Sequence, residues 1–194
     1  MPKTFDNSAR IMGVRAPVHS SMTQALLDCP QITSVCQTLR TAFGDIRDIR
    51  ANLPFGNLIQ LPRIPPILTE SWVAHEISDG HAPFWQQPVV VMRGGPRADL
   101  LVRPSSGPDS LVEVKGTGNE GFSMFSAKDI STDVLVWVSF AGFFDAELGT
   151  APKAYWLKDP GTVFTELDQK ITLPRFRKRG DGRVVETTFH PVDR

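Results

Sequence analysis

The sequence predicts an α/β fold: a mixed central β-sheet flanked by helices, with a helical N-terminal part and a C-terminal β-hairpin. Three observations predict it. Apolar residues recur at helical spacing through the first third, and short strand-like runs follow one another from Val89 to Lys115. The run Val134-Leu135-Val136-Trp137-Val138 is continuously apolar, as a strand covered on both faces must be.

At 194 residues, with 41% hydrophobic and 22% charged side chains, the chain suits one domain with a substantial interior. Within that domain, residues 1–66 read as a helical N-terminal elaboration, 68–140 as the core and 150–194 as C-terminal strands. From Ser20 to about Arg50, the residues Leu26, Leu27, Ile32, Val35, Leu39 and Phe43 predict two or three short helices, with Pro30 interrupting. Four prolines between Asn52 and Pro66 predict a connector. Thr69 stands where an N-cap would, and Trp72, Val73 and Ile77 give a helix that ends before Gly80. Strands are expected at Val89 to Met92, Ala98 to Arg103 and Leu111 to Lys115, with a turn at Gly94-Gly95-Pro96. Phe122, Phe125 and Ile130 predict a helix over 122–130 ahead of the central strand. Ala154 to Leu157 reads as a strand, and Ile171 to Lys178 with Arg183 to Phe189 flank Gly180-Asp181-Gly182 as the arms of a hairpin would.

The formal net charge is zero, so no global field points at nucleic acid, and such binding would need locally clustered Lys and Arg. The N-terminus has no apolar signal region and no run is long enough to span a bilayer, which predicts a soluble cytoplasmic protein. In that compartment Cys29 and Cys36 are expected free.

Side chains alternate across a strand, so Glu113 and Lys115 share one face while Val112 and Val114 take the other. If the loop from Pro104 to Ser110 closes a symmetric hairpin, Asp99 falls opposite Glu113 or Lys115. Two carboxylates so close repel unless a cation lies between them, and Mg²⁺ needs only one or two protein carboxylates. A nearby ammonium can orient a metal-activated water and offset charge growing on a phosphodiester.

Asp99, followed on the next strand by Glu113-Val114-Lys115, resembles the PD-(D/E)XK nuclease superfamily, and the likeness runs through helix, three strands, helix and strand over about residues 68–140. Ala98 stands where the motif's name has proline. The resemblance implies a restriction-endonuclease-like core in which Asp99, Glu113 and the Val114 carbonyl bind Mg²⁺ and Lys115 assists the attacking water. It also implies a glutamate from the preceding helix, with Glu70 the first choice and Glu76 the second. A chain of this size with segments on both sides of the core is similar to type II restriction endonucleases, which implies sequence-specific cleavage of double-stranded DNA. Cutting both strands with one site per chain implies a homodimer. Repair, recombination or modification-dependent nucleases of the same superfamily, or a non-catalytic DNA-binding module, are the alternatives.

Other signals compete. Gly116-Thr117-Gly118-Asn119-Glu120-Gly121 matches the dinucleotide fingerprint G-x-G-x-x-G, but the charged strand before it and the short chain after it argue against a Rossmann fold. Gly116 and Gly118 are instead expected in a loop that lets the DNA backbone approach. His75-Glu76 and His81 lack the H-E-x-x-H spacing, which speaks against zinc. Arg175, Arg177, Lys178, Arg179 and Arg183 on the expected hairpin, and Arg47 with Arg50 on a helix, are candidates for gripping DNA.

Overall fold

The computed structural model describes residues 25–118, 121–145, 149–165 and 170–190. Expectations for residues 1–24, Asn119 and Glu120 lie outside these.

The first helix, α1, runs Cys29–Asn52 without a break. Asp28 caps it: its Oδ1 accepts the Gln31 N–H at 2.9 Å while Gln31 Oε1 accepts the Asp28 N–H at 3.0 Å. Pro30 falls in the first turn, where an N–H has no helical partner to lose, so it starts this helix and one helix replaces the two or three expected. The second, α2, spans Pro66–Ser78 and also opens on prolines. Thr69 is therefore inside the helix and buried, and the N-cap lies four residues earlier at Pro65.

Three strands follow as an antiparallel meander: β1 Val89–Arg93, β2 Leu100–Pro104 and β3 Ser110–Thr117. The chain then crosses over through a short strand β4, Phe122–Met124, and a single helical turn α3, Ala127–Ile130. This corrects the helix expected over 122–130. Its apolar spacing is equally that of a strand, and Phe122 to Met124 pair with a later segment. The central strand β5, Val134–Ser139, lies parallel to β3 and is buried at every position, as its apolar run requires. On its other side β6, Lys153–Lys158, is antiparallel.

The expected C-terminal hairpin is not formed. Lys170–Thr172 is a short strand, β7, paired with β4, and Leu173–Arg179 is a helix, α4. Thr172 caps α4 by accepting the Arg175 N–H at 3.4 Å, and Pro174 fits its first turn. The glycines at 180 and 182 join α4 to β8, Val184–Thr188, which pairs with β6. The result is an α/β fold with a mixed six-stranded sheet in the order β1-β2-β3-β5-β6-β8.

Strand alternation divides the interior. Val112, Val114, Val134, Val136, Val138 and Trp156 meet α1 and α2 on one face. On the other, Leu135, Trp137, Tyr155 and Leu157 pack under Phe125, Phe164, Ile171 and Phe176. The second cover rests on β5 and β6, and the same face of β3 presents Glu113 and Lys115 instead. Cys29 and Cys36 are free, as expected. No described helix is long and apolar enough to cross a membrane.

Candidate active site

The β2–β3 register pairs Leu100 with Val112, so one step further sets Asp99 across from Glu113. Asp99 sits in the bend just before β2, not within the strand. The β3 backbone holds it: the Asp99 N–H reaches the Val112 carbonyl at 3.2 Å and Oδ2 accepts the Val114 N–H at 2.9 Å. Glu113, only 3% exposed, and Lys115 project together from β3, and Lys115 Nζ donates to Glu113 Oε1 at 2.9 Å.

Two residues that the sequence reading passed over complete this cluster. Both come from α3. Asp129 accepts Lys115 Nζ at 2.9 Å through Oδ1 and the Ser126 N–H at 2.7 Å through Oδ2, so one carboxylate fastens the helical turn and aims the lysine. Lys128 Nζ lies 3.1 Å from Asp99 Oδ1 and 3.0 Å from Glu113 Oε2. The two carboxylates that should repel are thus bridged by a cation. Glu113 Oε2 is fully buried, and among the described residues the Lys128 ammonium at 3.0 Å is the charge that meets it.

Glu70 comes to the same place from α2. It is buried, ion-paired with the Arg93 guanidinium, and lines with Asp99, Glu113, Val114, Lys115 and Gly116 a cleft of about 270 Å³. Glu76 does not. It stands about 240° round α2 from Glu70 and binds His190, so Glu70 is the helix glutamate at this site.

Burial, and then a hydrogen bond with Asp129 and the charge of Asp99, push the Glu113 carboxyl up to about 7. Burial and the charge of Asp99 also raise Glu70 above the usual carboxylate range, against the pull of Arg93. Burial works against charge on Lys115 and Lys128, but their carboxylate partners outweigh it and hold both above an ordinary lysine. Asp129 is likewise held low: burial would raise it, yet its hydrogen bonds with Glu113, Lys115 and the Ser126 amide prevail. The cleft therefore keeps its ammonium groups charged and lets the buried Glu113 carboxyl take up or release a proton near neutral pH.

The other expected residues fare unevenly. Gly116 belongs to β3 and not to a loop: a Cβ there would stand 2.7 Å from Thr69 Oγ1, so the glycine lets α2 close on the sheet. It does line the cleft. Gly118 follows the strand beside Ile64 and Phe43. The chain beyond leads to β4, not to the helix a dinucleotide fingerprint requires. Arg175, Arg177, Lys178 and Arg179 are exposed on α4, and Arg183 lies in the turn after it. Arg177 meets Glu186 at 3.6 Å and the Tyr155 ring, Arg179 lies over Phe164, and Arg183 donates to Thr162 Oγ1 at 2.6 Å and the Lys158 carbonyl at 3.1 Å. These arginines fasten α4 and its turn over β6 and β8, two and three strands from β3, or roughly 10–15 Å across the sheet. Arg47 ties α1 to Asp145 at 2.5 Å and to the Phe144 carbonyl at 2.8 Å, so its charge is spent inside the fold. Lys128 and Asp129 carry a sequence signal, the S-x-x-D of a capping box at Ser126, but that pattern marks a helix start and says nothing of what the helix faces.

No protein family, curated protein or solved structure matches the chain at a significant level.

Proposed function

We propose that this chain is a Mg²⁺-dependent endonuclease of the PD-(D/E)XK kind that hydrolyses phosphodiester bonds in double-stranded DNA. The observation that carries the reading is the Lys128 ammonium, 3.1 Å from Asp99 and 3.0 Å from Glu113, with Lys115 fixed beside them. Two carboxylates define a cation position there, and a buried Glu113 oxygen has no hydrogen-bond donor of its own among the described residues. Among the described residues, the carboxylate and carbonyl donors lining the cleft are oxygens, with no His or Cys, which suits a hard ion that keeps several waters.

Asp99 and Glu113 would hold the ion, the Val114 carbonyl would assist, and Glu70 stands where it could complete the shell. Bound there, Mg²⁺ supplies a water of lowered pKa and offsets charge on the scissile phosphate. Lys115, aimed by Asp129, would orient an attacking water and meet the charge that develops on the phosphoryl oxygens. Lys128 would then leave the carboxylates and could pair with a phosphate. Glu113, where protonated, would release its proton to solvent on binding the ion. The exposed α4 cations, Arg175, Arg177, Lys178 and Arg179, are the candidates for holding the DNA backbone beyond the cleft.

One cleft cuts one strand, so a double-strand break calls for two chains about a two-fold axis, as in type II restriction enzymes. Plasmid and genomic DNA incubated with the chain should be cut in Mg²⁺ and spared in EDTA. Glu113→Ala and Lys115→Ala should each lower the rate roughly 10²- to 10³-fold, the scale of losing one transition-state charge partner. Cleavage that survives both substitutions rules the assignment out. A discrete fragment pattern marks a sequence-specific restriction enzyme, whereas cuts only at structural or modified features mark a repair or modification-dependent nuclease. The closed ion-pair network also favours one other reading, a non-catalytic DNA-binding module that neutralises its own carboxylates; that module would bind DNA and leave it intact in Mg²⁺.

A further inference from the structure

We propose that Glu76, His81 and His190 form a second metal site, distinct from the acidic cleft, for a borderline divalent ion such as Zn²⁺. Their ligand atoms all lie within 4.8 Å of one another.

The backbone builds two thirds of this site from the end of α2. The Gly80 N–H returns to the Ile77 carbonyl at 3.2 Å and the His81 N–H to the Glu76 carbonyl at 2.9 Å, while Gly80 takes φ 79°. That is the Schellman ending, which turns the residue after the glycine back against the residue at the helix's third-last position. Such a contact is usually apolar; here it sets an imidazole beside a carboxylate. The third group arrives from the other end of the chain. The Phe189 side chain is buried in the larger core, the Trp72 Nε1–H donates to the His190 carbonyl at 3.4 Å, and the His190 N–H donates to Glu76 Oε1 at 2.8 Å.

The remaining carboxylate oxygen, Oε2, lies 3.6 Å from His81 Nδ1 and 3.1 Å from His190 Nδ1. Ligands held at about 2.0–2.1 Å in a tetrahedron stand roughly 3.3–3.4 Å apart, so both separations need only tenths of an ångström of adjustment. The two rings lie almost face to face, 3.7 Å between centroids at 30°, and both turn Nδ1 to that oxygen. The Glu76 side chain is 4% exposed, against 37% for His81 and 56% for His190, which leaves a fourth position facing solvent. The His190 amide on Oε1 supplies the outer hydrogen bond that orients a ligating carboxylate.

Two imidazoles and a carboxylate favour Zn²⁺ and its neighbours over Mg²⁺, whereas the oxygen-lined cleft around Asp99 has the reverse preference. The ion would clasp the chain beyond β8 to the end of α2, the helix that carries Glu70. This inference stands whether or not the cleft cuts DNA.

The test is Zn²⁺ titration of the full chain against a chromophoric chelator, with the thermal midpoint read in parallel, on wild type, His81→Ala, His190→Ala and Asp99→Asn. Both histidines are solvent-facing, and circular dichroism establishes that their variants fold; His81→Gln is the milder substitute. We expect one Zn²⁺ per chain and a raised midpoint in wild type and in Asp99→Asn. Each histidine variant should lose more than the roughly 10- to 100-fold in affinity that losing an outer-shell partner costs. A wild type that does not compete with the chelator, unchanged affinity in the histidine variants, or loss of binding in Asp99→Asn overturns the proposal.

Discussion

Lys128 holds a charge that the proposed divalent ion would have to displace on entering the cleft. Its ammonium is partly exposed, and its pairs with Asp99 and Glu113 should contribute about 1 kcal/mol to the metal-free protein, near the upper end for exposed ion pairs. Lys128→Gln should therefore lower stability in EDTA by about that much and tighten Mg²⁺ binding roughly fivefold, since the ion no longer competes for its seat. Calorimetric titration reads the second effect independently of cleavage, and weaker Mg²⁺ binding in the variant would count against a shared position. Glu113 gives a pH signature. In the metal-free protein its carboxyl is raised from an ordinary 4.5 to about 7, chiefly by burial, so across that window the native chain binds more protons than the unfolded one. Stability in EDTA must then fall as pH rises through the window and level off above it. Glu70, raised in the same direction by burial and Asp99, adds to the fall. Lys115 and Asp129 act elsewhere, above an ordinary 10.5 and below an ordinary 3.8 respectively. Urea unfolding at about pH 5 and about pH 7.5 should show the loss in wild type and a smaller one in Glu113→Gln; a gain in the wild type would contradict it.

The contact of α2 with β3 sets how far Glu70 stands from Asp99 and Glu113, and Gly116 sets that contact. A methyl group at Gly116 would lie 2.7 Å from Thr69 Oγ1 and 3.2 Å from its Cγ2, both on a short buried side chain with little room to move. Gly116→Ala should cost about 1–3 kcal/mol, as overpacking does. Thr69→Ala in the same chain should recover most of that, since it removes both clashing atoms. A double-mutant cycle by urea unfolding with additive effects would show that the two do not press on each other. The elements that frame this contact were legible in the sequence because their signals are local. Valines alternate with Glu113 and Lys115 in β3, and the apolar run of β5 admits no other reading. The elements over the opposite face were not. Phe122 to Ile130 carries apolar residues that satisfy either period, and only pairing with Lys170 to Thr172 decides for a strand. At Leu173 the cap and the early proline, Thr172 and Pro174, were present, but the two flanking glycines suggested a hairpin more loudly. Pro30 and Pro66 show the same trade: proline opens a helix as readily as it breaks one, and only the hydrogen bonds of the following turn tell which.

Across the whole molecule, the carboxylate cluster was half visible from sequence. Asp99, Glu113 and Lys115 follow from strand register, whereas Lys128 and Asp129 enter only through the crossover that lays α3 beside β3, a long-range event no local spacing encodes. The same limit hid the clustering of His81 with His190, which lie more than a hundred residues apart in sequence. Under the proposed nuclease reading, assembly would be a further step of the same kind. The described chain offers one cleft with the paired carboxylates and lysine, and the strands of a duplex run antiparallel, so equivalent cuts on both need two clefts related by a two-fold axis. A pair of chains stable enough for this buries on the order of 1,200–2,000 Å² in total. If the pair forms before binding, supercoiled plasmid should pass directly to linear product at all enzyme concentrations. If it forms on DNA, nicked circles should accumulate when chains are scarce and vanish as they become abundant, with linear product rising more steeply than first order. Light scattering on the complex with cleavable DNA in Ca²⁺, which occupies carboxylate sites while slowing the chemistry, should report two chains per duplex. One chain per duplex, with nicked circles as the end point at every concentration, would favour a single-strand endonuclease over the proposed restriction role and leave the proposal of a metal-binding cleft standing.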